Sequence, residues 1–491
     1  MDDYASTSMA ALADRIRGGD ASAEQAVDAA LDRIDARDGD VNAFVTVIGD
    51  DARERAQELD EQREAADDPA SLGPLHGVPV ALKDLFGFKE GVRNTFGCKP
   101  LADFVAPETA AFVERLEDAG AVVIGKTNAP EFGHLPTTTN EVSGTTYNPW
   151  DGESSVGGSS GGAGAAVASG MVPFAQGSDS GGSIRIPAAA CGVYGYKPTH
   201  GRVPLGAGPD VFAGHTPYTH IGPLTRTVED AALAMQVMAG PHQHEPDVQP
   251  DDGTDYVAAA RRGNDGSDPL EGVSVGHMPG FDGVFRVEPA VREVLDDAVD
   301  AFSAAGADTA EATLALDMDA SELAPAFTKM FAPSLAHFAR LAGEEAGIDL
   351  LGEHRDELSV SLQQVVAGAE GFSALERMAA NGPRSQVMEA LADALDEHDL
   401  LATAALCVPT PGAEEFTVAS VDGESVHPML GWFTCWLINM TGHPTAILPA
   451  GRIDGLPVGL QLVGPMHDDE GVIEASAAFE SERAWAGEYP A

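Results

Sequence analysis

Apolar residues recur at helical spacing near the start of the chain. Val27, Ala30 and Ile34 fall on one face of a helix, and Ser22 stands where a capping residue would begin it. Two helices are therefore predicted within residues 7–38. The same spacing predicts further helices over 108–116, 289–305, 320–345 and 384–396.

Short aliphatic runs alternate with these helical segments in the first half of the chain. The runs at 78–82 and 121–124 are bounded by Gly and Pro, which is typical of buried strands. Strands that alternate with helices predict an α/β sheet. We expect an N-terminal helical segment over 1–70 and an α/β domain over 71–491. The acidic, turn-rich stretch 245–269 is expected to project from this domain into solvent.

The net charge of the chain indicates what kind of surface and partners to expect. The 491 residues include 78 Asp and Glu but only 28 Lys and Arg, a net charge of −50. Such a chain repels phosphate backbones, so nucleic acid is not an expected partner. An acid-rich, Lys-poor composition is associated with halophiles, because molar salt shortens the Debye length to roughly 3 Å and screens self-repulsion. The composition therefore favours a halophilic protein, with an acidic mesophilic protein as the alternative.

The distribution of charge also bears on membranes and export. Residues 154–178 and 425–451 contain no charged side chain. The second stretch is long enough to span a bilayer, but Asn439 and Pro444 interrupt it, so buried core or a pocket wall is expected instead. The acidic N-terminus lacks the apolar run of a signal peptide, and we expect a cytoplasmic protein without a membrane partner.

Cysteine and histidine patterns favour neither a disulfide scaffold nor a metal site. The four cysteines are scattered and form no C-x-x-C pair. His242, His244 and Glu245 look like metal ligands, but they lie at the edge of the acidic stretch and the H-E-x-x-H spacing is absent. No bound metal is therefore expected.

Residues 120–127 match the Walker A pattern G-x-x-x-x-G-K-T, with Lys126 in the lysine position. A phosphate loop needs a flexible turn whose amides converge on an anion. The intervening residues 121–124 are apolar and strand-forming. A buried strand followed by a turn is the preferred interpretation, and a P-loop nucleotide-binding protein is a weaker alternative.

Residues 157–162, with the sequence GGSSGG, match the nucleophile elbow G-x-S-x-G in two overlapping frames. An elbow follows a core strand, whereas the preceding residues 151–156 do not resemble a strand. Small residues that can form a helix follow at 163–168. This pattern predicts a helix N-terminus whose amides face a negative ligand group.

A second Gly/Ser cluster lies at 177–187. Gly181 and Gly182 precede Ser183 and allow the backbone to turn its N–H groups inward, as an oxyanion site requires. Asp179 and Arg185 flank this turn and are placed to pin it by an ion pair.

A serine nucleophile also needs a base, and no S-x-x-K pattern is present. His200 is near the second cluster in sequence, but no residue is marked as its acid partner. Lys83 ends the apolar run 78–83, where burial lowers the pKa of an amine from about 10.4 towards neutrality. Lys83 is therefore the predicted base.

Together these segments resemble the amidase signature family. The matching segments, in order along about 120 residues, are 77–84, 125–132, 157–162, 179–185 and 191–199. Weaker matches at 442–449 and 455–464 resemble the closing strands of that family. The resemblance implies a single large mixed β-sheet covered by helices on both faces, with its motif core over 77–204.

The resemblance also implies residue roles. Ser183 corresponds to the acyl-forming nucleophile, Ser159 to a bridging serine in a cis peptide bond, and Lys83 to the terminal base. The amides of Ser180, Gly181, Gly182 and Ser183 correspond to the oxyanion hole, and Ser160, Asp179 and Arg185 to supporting positions. No metal or organic cofactor is implied.

The implied activity is hydrolysis of the C–N bond of a small amide through an acyl-enzyme. Trp432, Phe433 and Trp436 lie in the second charge-free stretch and are candidate walls of an apolar pocket, with core packing as an equal alternative. A homo-oligomer is compatible with the sequence. The family's amidotransferase branch, a glutaminase subunit that supplies ammonia to a partner modifying mis-acylated tRNA, remains an alternative.

Overall fold

The computed structural model describes residues 1, 3–205, 217–266, 268–487 and 489–490. The α-helices of this part of the chain are α1 Met9–Gly18, α2 Ala23–Val41, α3 Gly49–Ala65, α4 Ala111–Asp118, α5 Gly161–Ala168, α6 Arg185–Cys191, α7 Val228–Met238, α8 Tyr256–Gly263, α9 Pro289–Ala304, α10 Ala320–Glu345, α11 Val360–Glu370, α12 Ala374–Ala379, α13 Asn381–Glu397, α14 Cys435–Asn439 and α15 Asp469–Glu482.

The strands of the same residues are β1 Phe44–Val47, β2 Pro79–Lys83, β3 Val122–Thr127, β4 Thr139–Asn140, β5 Gly144–Thr145, β6 Phe174–Asp179, β7 Tyr194–Lys197, β8 His220–Thr225, β9 Ser274–His277, β10 Asp308–Glu311, β11 Leu400–Ala404, β12 Ser420–Val421, β13 Glu424–Ser425, β14 Thr445–Ile453 and β15 Leu456–Val463.

One large mixed sheet organises the described residues, in the order β1-β3-β2-β6-β8-β7-β14-β15-β11-β9-β10. Strand β2 is parallel to both β3 and β6, whereas β8, β7, β14 and β15 follow one another in antiparallel pairs. Helices pack around this sheet, which confirms the expected fold class. The predicted closing strands are β14 and β15, joined as an antiparallel hairpin.

The N-terminal segment contributes more than helices. The two predicted helices are α1 and α2, and Ser22 and Gln25 form the capping box at the start of α2. Residues 44–47 then form β1, which pairs antiparallel with β3 at the edge of the main sheet. The first 70 residues are therefore joined to the central sheet by backbone hydrogen bonds. The later helical predictions correspond to α4, α9, α10 and α13.

The acidic stretch 245–269 is only partly exposed. Within it, α8 buries Tyr256, Ala259, Ala260 and Gly263 against α15 and α7. These positions have the spacing i, i+3, i+4, i+7 of an amphipathic helix, so the expectation of a wholly exposed excursion is wrong over α8. Ser267 lies outside the described residues.

The charge-free stretch 425–451 is largely packed in the interior. It contains α14, all of whose residues are buried, and the first part of β14. Among the helices described, none is long and apolar enough to cross a membrane. The prediction of buried core for this stretch is confirmed.

Candidate active site

Lys83 is the last residue of β2, an interior strand of the main sheet between β3 and β6, and its side chain is fully buried. Its Nζ lies 2.7 Å from Ser159 Oγ and 3.0 Å from Ser178 Oγ. Burial lowers the pKa of the Lys83 amine to about 7, although the Asp179 carboxylate acts in the opposite direction. A large fraction of Lys83 is therefore neutral near pH 7 and able to accept a proton.

Ser159 lies in the turn that leads into α5. The peptide bond between Gly158 and Ser159 is cis, as the resemblance implied. Gly158 and Gly161 of this turn pack against residues 135–138 without room for a side chain. A Cβ on Gly158 would lie 2.5 Å from Thr137 N, and one on Gly161 would lie 2.2 Å from Thr138 Oγ1. This close approach requires glycine, and it places Ser159 Oγ beside Lys83.

Ser183 lies in the turn between β6 and α6 and is partly exposed. Its carbonyl oxygen accepts a hydrogen bond of 3.0 Å from Ser160 N, which ties the two serine turns together. Ser160 Oγ also bridges the backbone of Ser178, accepting from Ser178 N and donating to Ser178 O at 3.2 Å each. Ser183 and Ser159 both border one small cavity.

A buried ion pair holds the Ser183 turn. Asp179 Oδ2 accepts from Arg185 Nε at 2.9 Å, and Asp179 Oδ1 accepts from Arg185 Nη2 at 3.0 Å. Both side chains are fully buried. Burial alone would raise the pKa of Asp179, but the Arg185 guanidinium holds it well below its usual range. Arg185 also donates to the side-chain oxygens of Asn439 and Gln461.

The same carboxylate orders the backbone of the turn, and this modifies the predicted oxyanion hole. Asp179 accepts hydrogen bonds from Gly182 N at 2.8 Å and Ile184 N at 3.1 Å. The Gly182 N–H, which the resemblance assigns to the oxyanion hole, is therefore engaged by Asp179 and holds the loop. The N–H groups of Gly181 and Ser183 have no acceptor among the described residues.

Two cavities meet at Ser183. The larger has a volume of about 730 Å³ and is lined mainly by apolar side chains of α10, α11 and the 427–433 segment. The smaller, of about 70 Å³, lies beside Ser159 and Ser178; Leu205 and Pro217, which flank residues outside the described part of the chain, also border it. None of the described residues lining either cavity is Asp, Glu, Lys or Arg.

The three predicted aromatic wall residues have different positions. Phe433 borders the larger cavity. Trp432 and Trp436 do not border it, so the prediction is wrong for these two. Trp436 is fully buried, packs against Phe285 and Phe327, and donates from Nε1 to a backbone carbonyl.

The weaker motif alternatives are not supported by their geometry. Gly125, Lys126 and Thr127 belong to the buried strand β3, and Lys126 Nζ donates to the carbonyl oxygen of Gly87. No open phosphate loop is formed there. Residues 157–162 lead into α5, as predicted, and not out of a core strand.

The protein-family profile described as Amidase matches residues 25–473. The chain belongs to the amidase signature family. This amidase is 35% identical to an acylamidase of Rhodococcus erythropolis over 98% of its own length and 96% of that protein. It is 36% identical to a glutamyl-tRNA(Gln) amidotransferase subunit of Moorella thermoacetica, over 96% of this chain and 95% of that protein.

A comparison with a solved structure supports the same family assignment. The crystal structure of a bacterial aryl acylamidase of the amidase signature family superposes on this amidase with a TM-score of 0.91. The two are 34% identical, and the alignment covers 98% of this chain and 97% of that one. The comparison confirms the fold and the assignment of this protein as an amidase signature enzyme.

Two contributions to the site were not predicted. Ser178 Oγ is a second hydroxyl beside the Lys83 amine. It lies on the same face of β6 as Gln176, whose Oε1 accepts a hydrogen bond from Lys83 N at 3.1 Å. Phe331 on α10 borders both cavities beside Ser183. The helical spacing identified α10, but nothing local to residues 320–345 indicated which face would reach Ser183.

Breaking the ion pair is expected to destabilise the fold strongly. Asp179→Asn leaves the buried Arg185 charge without a counter-ion, and such a change costs about 3–5 kcal/mol. Denaturant unfolding at a fixed high KCl concentration measures the difference.

The matched control is Glu344→Gln, which breaks the Arg340–Glu344 pair on the surface of α10, where both side chains are exposed. We expect a loss below about 1 kcal/mol for this variant. Equal losses of unfolding free energy in the two variants would show that burial of the Asp179–Arg185 pair does not determine how strongly the pair stabilises the fold.

Proposed function

We propose that this amidase hydrolyses small, uncharged, apolar amides with Ser183 as nucleophile, Ser159 as proton relay and Lys83 as base. The Lys83 amine carries the proposal, because it is fully buried, has a pKa of about 7 and lies 2.7 Å from Ser159 Oγ. A protonated lysine in that position would donate a hydrogen bond to Ser159 but would be unable to accept its proton.

The reaction has two steps that use the same relay. Ser183 Oγ attacks the carbonyl carbon, its proton passes to Ser159 Oγ, and the Ser159 proton passes to neutral Lys83 Nζ. Collapse of the tetrahedral intermediate breaks the C–N bond, and the relay returns the proton to the leaving amine. Water then attacks the acyl-enzyme, and the same transfers release the acid and restore Ser183.

Charge on the carbonyl oxygen needs donors that are already in position. The Gly181 and Ser183 N–H groups have no acceptor among the described residues, and both residues border the larger cavity. Each oxyanion donor of this kind contributes roughly a hundredfold or more to the rate. The Asp179–Arg185 pair acts as support, because it fixes the turn that presents these amides.

The glutaminase alternative is less favoured. Free glutamine carries an ammonium and a carboxylate close to its amide, and a binding site has to compensate both charges. The described linings of both cavities contain no Asp, Glu, Lys or Arg. His134 and His427 border the larger cavity, and burial lowers the pKa of both imidazoles, which favours their neutral form. An uncharged substrate fits these linings better, although relatives with either activity are similarly close in sequence.

The triad is tested with Ser183→Ala and Lys83→Ala on a panel of aliphatic, aromatic and cyclic amides plus glutamine, assayed for released ammonia or amine. We expect kcat/KM to fall at least about a thousandfold in both variants, because nucleophile and base act as one unit. Ser481→Ala, an exposed serine on α15, is the control and should keep wild-type activity. Full activity in Ser183→Ala would refute the assignment, and cleavage of glutamine alone would favour the amidotransferase branch.

The dependence of kcat/KM on pH should report the protonation state of Lys83. The base is active when neutral, so kcat/KM should rise with pH through about 7 and level off above it. Activity is lost as pH falls, because the protonated amine cannot accept the Ser159 proton. Rates measured from about pH 5.5 to 9 at constant KCl give the apparent pKa. A profile that stays flat to the acidic end of this range would exclude Lys83 as the titrating base.

We also propose that the protein is halophilic and cytoplasmic. Even if every Lys and Arg neutralised one carboxylate, 78 − 28 leaves 50 acidic residues without a cation. Their mutual repulsion opposes the compact state unless salt screens it. All four cysteines are free and buried, which agrees with a reducing compartment.

Salt should therefore stabilise the fold. The unfolding temperature is expected to rise steadily between about 0.1 M and 3 M KCl, as the Debye length falls from about 10 Å to below 3 Å. Sucrose, which favours the compact state without screening charge, is the control and should stabilise much less. An unfolding temperature independent of KCl would contradict the halophilic proposal.

A further inference from the structure

The two cavities at Ser183 differ in size and in their access to the proton relay. Gly133, Ser183 and Phe331 border both of them. Gly133 has no side chain and Ser183 is the nucleophile, so among the described residues Phe331 is the other side chain that lies between the two spaces. Phe331 stacks on Phe327 of the same helix, with ring centroids 5.6 Å apart and an interplanar angle of 14°, which restrains the ring.

The relay fixes which part of the amide occupies which cavity. The leaving nitrogen has to take its proton from Ser159 Oγ, so it must lie within hydrogen-bond reach of that hydroxyl. Ser159 borders the smaller cavity, and the larger one reaches only its neighbour Gly158. The substituent on nitrogen is therefore directed into the smaller cavity, and the acyl substituent on the other side of the carbonyl is directed into the larger.

The volumes then limit the two substituents. A dry cavity of about 150 Å³ accommodates benzene. The smaller cavity, at about 70 Å³, has room for ammonia or methylamine but not for an aromatic ring. The larger, at about 730 Å³, has room for a bulky acyl chain or several rings. Aromatic contacts of Phe338 with Phe86, Phe96 and Phe132 make one wall of the smaller cavity rigid.

We propose that, among small apolar amides, the substrates are primary amides or amides of very small amines in which the apolar acyl group is the larger side, and that Phe331 is the specificity-determining residue that keeps acyl and amine sides apart. This inference rests on the proposed function, because it assigns the two sides of the scissile bond from the Ser159 relay. The smaller cavity then also receives the hydrolytic water once the amine has left.

Two isomeric amides test the assignment. The first, 3-phenylpropanamide, carries its phenylethyl group on the acyl side, and N-(2-phenylethyl)formamide has the same atoms with that group on nitrogen. We expect kcat/KM to be at least about tenfold higher for the propanamide, measured as released ammonia and phenylethylamine. Equal rates, or faster hydrolysis of the formamide, would overturn the inference and leave the proposed function standing.

The same assay separates the two proposals. Hydrolysis that disappears in Ser183→Ala supports the proposed function whichever isomer is preferred. If neither isomer is hydrolysed in a Ser183-dependent way, the proposed function fails for apolar amides and the inference fails with it.

The role of Phe331 is tested by one variant at Phe331 itself and one at a residue that borders only one of the two cavities. Phe331→Ala joins the cavities, so the preference for the propanamide should fall about tenfold, with a lower KM for the formamide. Phe372 borders only the larger cavity, and Phe372→Ala is the control. This control should weaken binding of the propanamide, seen as a higher KM, without improving hydrolysis of the formamide. An unchanged preference in Phe331→Ala, with wild-type unfolding behaviour, would remove Phe331 from this role.

Discussion

Asp179 and Arg185 form an ion pair from which solvent is excluded, and the chemistry of Lys83 depends on it. The Asp179 carboxylate acts to raise the Lys83 pKa, but its charge is already compensated by Arg185 and by backbone amides. Burial therefore decides the protonation of Lys83 and leaves a neutral amine at the end of β2. The Asp179–Arg185 pair thus fixes the Ser183 turn and permits a neutral base at the end of an interior strand.

The sequence predicted the large elements well, because their signals are local and periodic. The helices α1, α2, α9, α10 and α13 follow apolar spacing, and β2 and β3 follow compact aliphatic runs between glycines. The triad was predicted from motif segments and their order along the chain. The structure adds that these segments converge because β2 and β6 are neighbouring strands of the sheet and α5 packs against both of them.

The features of the site that the sequence did not predict depend on long-range packing. Trp436 and Phe433 lie three residues apart in the same apolar stretch, yet one is core and the other borders the cavity. The Gly182 amide could not be distinguished from its neighbours until Asp179 was seen to accept from it. Phe331 is brought to Ser183 by α10, nearly 150 residues further along the chain.

The glycines around Ser159 have a consequence for how such chains diverge. At Gly158 and Gly161 an added methyl group would collide with the backbone or side chain of residues 137–138, so these positions resist replacement even where no reaction is being catalysed. A descendant that lost Ser183 would still need the same glycine-rich turn in order to fold. The glycines of this turn therefore reflect packing, whereas Ser159, Ser183 and Lys83 together are the residues that indicate activity.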